Sequence, residues 1–412
     1  MEFCMKKILH LIFGRFFVVA MAIILQVLWL CVVLWQLSYK FTYVNLLVRV
    51  IAIIVVLVIV NKWTNPANKL SWTFLILLSP VFGLMVYLLF GRSGLTKHTR
   101  ERMDAVNRQV EALFQRDIAA EEELEKESRS AYLQSSYIDK WAGFPLYQNT
   151  QTKYYRCGEE MFPDMLEALR GAEHFIFLEY FIIEEGYMFN AILDILEEKA
   201  KAGVDVRFIY DDVGSINSIS FGYYKKLQER GIPCVTFNPF KPLISVVMNN
   251  RDHRKIFVVD GYIGFTGGIN LADEYINKVQ RFGYWKDTGV RIEGEAVWSL
   301  TAMFLEMWNY INRSTEDYSS FLPSVYQQKK PDSDGFVQPY GDSPLDNENV
   351  GENIYLNIIS RAKKYVYIFT PYLIIDHEML ICLSNAAKSG VDVRIVTPGV
   401  PDKKAVYLLT QS

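Results

Sequence analysis

Cysteine, histidine and net charge are all scarce in this chain of 412 residues, and each shortage excludes something. The five cysteines (Cys4, Cys31, Cys157, Cys234 and Cys382) are scattered, with no Cys-x-x-Cys pair. Their odd number argues against a disulfide framework and for a reducing compartment. Five histidines are spread as thinly, so no metal-ligand cluster can be read. The chemistry is therefore expected to need neither metal nor cofactor. A formal net charge of −3 gives no ground for a polyanion-binding role. No basic, aromatic surface pattern points to nucleic acid either.

What is abundant is apolar sequence near the N-terminus. Phe16 to Leu37 is long enough to span a bilayer, and too long and too poorly flanked by small residues for a cleaved signal peptide. Val44 to Val60 is broken only by Arg49, placed where a long side chain can snorkel. Ser71 to Phe90 is a third run, with Trp72 and Tyr87 expected as interfacial anchors and a kink expected at Pro80. Residues 1–95 are thus read as a membrane module of two or three transmembrane helices. If all three runs span, Lys6, Lys7, Arg15, Lys62 and Lys69 share one side. Lys40, Arg92, Lys97, Arg100 and Arg102 share the other, which assigns no orientation. Residues 96–135 are charged and helical in character, a solvated connector with a mostly acidic run from Glu121 to Glu127.

From about residue 140 strands alternate with helices, which predicts an α/β domain. HFIFLEYFII (His174 to Ile183) reads as a strand buried on both faces. A helix follows near Asn190 to Ala202 with Gly203 as its stop, then a strand Val206 to Tyr210 ending at Asp211-Asp212. A second helix near Phe221 to Arg230 is closed by Gly231, and Cys234 to Phe237 is a strand. The later sequence echoes this. Lys201-Ala-Gly-Val-Asp-Val-Arg207 returns as Lys388-Ser-Gly-Val-Asp-Val-Arg394, an offset of 187 residues. The apolar strand ahead of it returns as YVYIFTPYLII (Tyr365 to Ile375), so an internal duplication is expected.

The chemistry concentrates in NRDHRKIFVVDGYIGFTGGIN, residues 250–270. Asp260-Gly261 between two β-branched or aromatic runs is a strong hairpin signal. Residues two apart on a strand share a face, so His253 and Lys255 should project together. An imidazole can attack a phosphodiester while the ammonium holds its non-bridging oxygens. Asn270 offers an amide donor to the same oxygens, and Gly267-Gly268 lets backbone come close. Asp260 supports geometry more than chemistry, since Asp-Gly is what a type I′ turn wants.

These residues resemble the phospholipase D superfamily, whose signature is His-x-Lys-x4-Asp followed by Gly-Gly-x-Asn. Within it the chain is similar to the bacterial cardiolipin synthases, over essentially its whole length. The similarity takes in Asn65-Pro66-x-x-Lys69, Leu88-Leu89-Phe90-Gly91-Arg92, Tyr210-Asp211-Asp212-Val213-Gly214-Ser215 and Tyr284-Trp285-Lys286-Asp287. The resemblance implies a multi-pass protein of the bacterial cell membrane with a cytoplasmic catalytic domain. It implies an α/β sandwich repeat: a first repeat over 136–325 carrying His253, and a second over 326–412. The substrate would be phosphatidylglycerol. One histidine would form a phosphohistidine and the other would protonate the departing glycerol, then activate the hydroxyl of a second phosphatidylglycerol to give cardiolipin. His253, Lys255 and Asp260 would form the catalytic set, with Gly268, Asn270 and Asp287 binding substrate. For Asp287, orienting the His253 ring and serving as a plain surface charge weigh equally.

The duplication also exposes a shortfall. His253 lies 48 residues beyond Asp205, so the same spacing from Asp392 projects a second histidine near residue ~440, past Ser412. The second repeat is therefore expected to be partial and truncated, and activity of this polypeptide alone to be impaired. A homodimer with a composite site, a non-catalytic remnant binding anionic lipid, and a membrane-anchored phosphodiesterase are the alternatives.

Overall fold

The computed structural model describes residues 21, 24–30, 32–33, 35–36, 42–62, 64–91, 97–240, 250–314, 316–326, 331, 333, 335–343 and 348–411. The chain divides into two compact units. One is Met1–Arg100, Asp211–Phe221 and Thr236–Asp252; the other is Glu101–Tyr210, Gly222–Val235 and His253–Ser412.

In the first unit, α1 (Thr42–Val60) is, among the described residues, the one helix long and apolar enough to cross a membrane. Of the run from Phe16 to Leu37, residues 21, 24–30, 32–33 and 35–36 are described and helical, and the rest lies outside the described residues. The third run is not one helix. It forms α2 (Pro66–Leu78) and α3 (Pro80–Phe90), because Ser79 ahead of the proline is extended at φ −141° and ψ 87°. The chain doubles back there. A Cβ on Gly83 would lie 2.5 Å from the Leu75 carbonyl oxygen, so only glycine permits the approach. Tyr87 is no interfacial anchor either. It is buried edge-on against Trp72, with ring centroids 5.3 Å apart, and packs with Ala52, Ile59, Ile76 and Leu84.

The charged connector is three helices rather than one: α4 (Lys97–Glu111), α5 (Ile118–Glu127) and α6 (Arg129–Ala142). Asp117 and Ser128 start the last two as N-caps, accepting from Ala120 N at 3.1 Å and Ala131 N at 3.3 Å. Nor is α5 wholly solvated, since Ala120 and Leu124 are buried against Leu146.

The second unit is built on a seven-stranded sheet of order β1-β7-β6-β5-β2-β3-β4. Its strands are β1 (Thr150–Tyr155), β2 (Phe175–Tyr180), β3 (Asp205–Asp211), β4 (Cys234–Phe237), β5 (Lys255–Val259), β6 (Ile263–Gly267) and β7 (Gly289–Gly294). Between β1 and β2 runs α7 (Gly158–Gly171). The β2–β3 pair is parallel, as a helical crossover requires, and α8 (Tyr187–Lys201) supplies it. A shorter helix, α9 (Tyr223–Glu229), joins β3 to β4. Every residue of β2 and β5 is buried, as the continuous apolar runs anticipate. On one face α10 (Val297–Asn312) lies against β2, β5, β6 and β7, with Phe304 stacked on Phe177 at 4.6 Å between centroids.

The Asp260-Gly261 turn forms with both residues at positive φ, 52° and 60°, as a type I′ turn demands. Pairing resumes at Val259–Ile263, one residue later than in a simple two-residue hairpin.

Further along come α11 (Val350–Arg361), β8 (Tyr365–Phe369), α12 (His377–Lys388), β9 (Asp392–Val396) and α13 (Lys404–Gln411). The expected strand to Ile375 thus ends at Phe369. The two strands pair in parallel with Tyr365 opposite Asp392, as Phe175 stands opposite Asp205. His377, the first residue of α12, has no lysine two positions on.

Candidate active site

In the antiparallel ladder Tyr180 of β2 stands opposite Lys255 of β5, so the end of one strand meets the start of the other. Phe181 follows Tyr180, and its ring faces the His253 imidazole at 4.6 Å between centroids. The Lys255 ammonium lies 5.6 Å from the Phe181 centroid, within cation–π range. It donates to the His253 carbonyl oxygen at 2.7 Å and sits 3.2 Å from Nδ1 of the same residue. An ammonium only donates, so this geometry assigns the neutral ring its proton at Nε2. Lys255 is 5% exposed whereas His253 faces solvent: a buried cation supports an accessible imidazole.

Asp287 is held just ahead of β7. Its Oδ1 accepts from Thr288 N at 2.8 Å and its Oδ2 from Trp285 Nε1 at 3.4 Å. Burial pushes its pKa above the ordinary carboxylate value. Those two donors and the charges of Lys255 and Lys286 pull the other way without overcoming it. The Lys255 ammonium thus lies close enough for its charge to act on the Asp287 carboxylate.

Three expected residues sit differently. Gly268 donates its N–H to Thr288 O at 3.0 Å, and a Cβ there would lie 2.0 Å from Asp287 Oδ1. Its missing side chain makes room for Asp287. Asn270 is buried at 3% exposure, its Oδ1 accepting from Ile182 N at 3.0 Å and its Nδ2 donating to the Tyr275 hydroxyl at 2.9 Å. The amide thus ties the segment after β6 to the end of β2. Asp260 is at the far end of β5, about 16 Å from Lys255 at ~3.3 Å per residue. Its carboxylate accepts from Glu173 N at 2.8 Å, His174 N at 2.7 Å and Phe175 N at 2.8 Å. It fastens the start of β2 and takes no place beside the His253–Lys255 pair.

Sequence reasoning missed Phe181, the ring against both members of the pair. Its only signal was position, one residue past the β2 segment that pairs with Lys255. It also gave no role to Tyr275 or Trp285, which bond Asn270 and Asp287 and pack against each other at 5.2 Å between centroids with their planes 59° apart.

An imidazole over a buried ammonium, on a mixed α/β scaffold of this order, defines a phospholipase D-like enzyme. The model of the family "Cardiolipin synthase, PLD-like domain" matches residues 165–308 and 355–411. That of "Phospholipase D-nuclease N-terminal" matches residues 50–92. A cardiolipin synthase of Alkalihalophilus pseudofirmus is 38% identical over 84% of this chain and 69% of its own. One of Halalkalibacterium halodurans is 35% identical over 89% of this chain and 73% of its own. An uncharacterized protein of Streptococcus mutans serotype c is 42% identical over 86% and 77%. The chain belongs to the cardiolipin synthase family of phospholipase D-like phosphatidyltransferases.

Proposed function

We propose that the chain carries out cardiolipin synthase-type transfer between two phosphatidylglycerol molecules, giving cardiolipin and glycerol through a phosphohistidine. The observation that carries this reading is the buried Lys255 ammonium under the accessible His253 ring, in a chain of this family. With the ring proton at Nε2 the attacking lone pair is that of Nδ1: as the Lys255 ammonium turns to the phosphate, Nδ1 attacks phosphorus, the N–P bond forms and the bond to glycerol oxygen breaks, with a proton delivered to that oxygen. A second phosphatidylglycerol hydroxyl then attacks, its proton leaves to a base, and the N–P bond breaks. Lys255 neutralises the non-bridging oxygens. Asp287 orients the pair, while Gly268 and Asn270 shape the support beneath it. Apolar α1 attaches the protein to the bilayer, with the catalytic region on the cytoplasmic side.

The steps also call for a second imidazole beside the pair formed by His253 and Lys255. The test is labelled phosphatidylglycerol in mixed micelles with purified protein. Cardiolipin plus glycerol, and a base-stable, acid-labile phosphoprotein on quenching, are expected. Phosphatidic acid as the product would replace transfer by hydrolysis. Lipid binding without product would leave a non-catalytic binder of anionic lipid.

A further inference from the structure

Arg254 stands between His253 and Lys255 and, by strand alternation, points to the other face of the sheet. There it reaches two elements at once. Its Nη1 donates to Met303 O of α10 at 3.4 Å and lies 3.8 Å from Glu179 Oε1 of β2. Glu179 is fully buried, and Glu306 follows Met303 by three residues, on the same side of α10. The Arg254 charge also acts on the Glu306 carboxyl.

A carboxylate taken out of water costs several kcal/mol unless a cation and donors compensate, so Glu179 pulls strongly on the guanidinium. Such a cluster is a poor device for stability alone, because apolar side chains of similar volume serve as well or better. Its placement is the telling feature. It grips the one residue whose backbone joins the imidazole to the ammonium.

We propose that Arg254 is a positioning residue for the His253–Lys255 pair. By holding β2 and α10 behind the sheet, it fixes the peptide between the two side chains and so their 3.2 Å contact. The role rests on the active-site reading above and acts through His253 and Lys255, not on substrate. Lysine in its place keeps the charge but loses the planar fork that meets two elements together.

The test joins kinetics to a direct view of the ring. Histidine-labelled protein carries only five histidines, so the ¹⁵N tautomer pattern of His253 is resolved in micelles and assigned by H253N. In wild type the pattern is that of a single tautomer with Nδ1 as acceptor. Arg254→Met should average it toward that of a free imidazole and lower kcat by ~10²-fold at unchanged KM for phosphatidylglycerol, the effect of small misplacement. Arg254→Lys should recover part of both. If Arg254→Met folds poorly, the triple variant Arg254→Met/Glu179→Gln/Glu306→Gln removes the stranded charges and carries the same measurements. A folded variant with wild-type tautomer pattern and kcat overturns the proposal. Wild-type protein without turnover removes the reaction reading alone, and the His253 spectrum still decides the case for Arg254.

Discussion

Gly268 shows how tightly single residues are matched at this site. Its Cα lies so near Asp287 that one added methyl group would meet Oδ1 at 2.0 Å. Gly268→Ala must therefore displace the carboxylate, and both activity and melting temperature should fall. Removing the obstacle should undo part of the damage. In a double-mutant cycle Gly268→Ala/Asp287→Ala should be more stable than the two single effects sum to, as expected for residues in contact. Strict additivity in thermal melts would show the two do not touch. Lys255→Met, which takes away one anion-stabilising donor, should lower kcat for phosphatidyl transfer by ~10²–10³ in the micelle assay. The His253–Lys255 pair was legible because both members lie two apart on one short stretch, so alternation alone brings them together. The protein contacts of Gly268 and Asn270 were not legible because their partners come from elsewhere. Asp287 precedes β7, Tyr275 sits in the segment after β6, and Ile182 ends the β2 segment. No spacing rule announces a glycine that makes room for a residue nineteen positions on.

Among the elements, the β5–β6 hairpin and α10 carry the clearest consequences. The Asp260-Gly261 turn could be read from two letters because its demand, positive φ at both positions, is local. That Asp260 also caps the start of β2 could not, since those three N–H groups are some 85 residues away. Asp260→Ala leaves them without their acceptor and puts alanine at φ 52°. The loss should be about 1–3 kcal/mol of stability, while kcat of the folded fraction holds. A collapse of kcat at full folding would return Asp260 to the chemistry. On α10, burial lifts the Glu306 pKa to about 7, with Arg254 pulling it down and Glu111 pushing it up. A carboxyl raised in the folded state stabilises fully below its unfolded pKa, and that contribution is lost as pH rises through the folded value. The melting temperature of Glu306→Gln relative to wild type should therefore climb between pH 5 and pH 8. A flat difference would show that Glu306 does not titrate in that window.

Taken whole, the molecule places one local motif in two surroundings. Asp205-x-Arg207 on β3 and Asp392-x-Arg394 on β9 make the same carboxylate–guanidinium pair, at 2.6 Å and 2.8 Å. Sequence alone rendered them equivalent, and the strand pairing beside each is equivalent too. What differs is cover. The Arg207 side chain is 12% exposed, also bonded to Glu316, and lies over Phe177, Trp308 and Phe321 at 5.2, 5.5 and 5.3 Å from their centroids. The Arg394 side chain is 65% exposed and lies over Tyr367 at 5.0 Å. Removing Arg207 takes away three ring contacts and leaves Asp205 and Glu316, 38% and 32% exposed, without their shared cation, whereas an exposed pair is screened by water and salt. Arg207→Met should therefore cost about 1–3 kcal/mol and lower the melting temperature of the catalytic region by a few degrees. Arg394→Met should leave it unchanged within error, and added salt should affect neither difference much. Equal losses from the two substitutions would mean that β8 and β9 are as deeply covered in solution as β2 and β3. The contrast in burial between the two motifs would then not hold for the protein in its micelle or membrane.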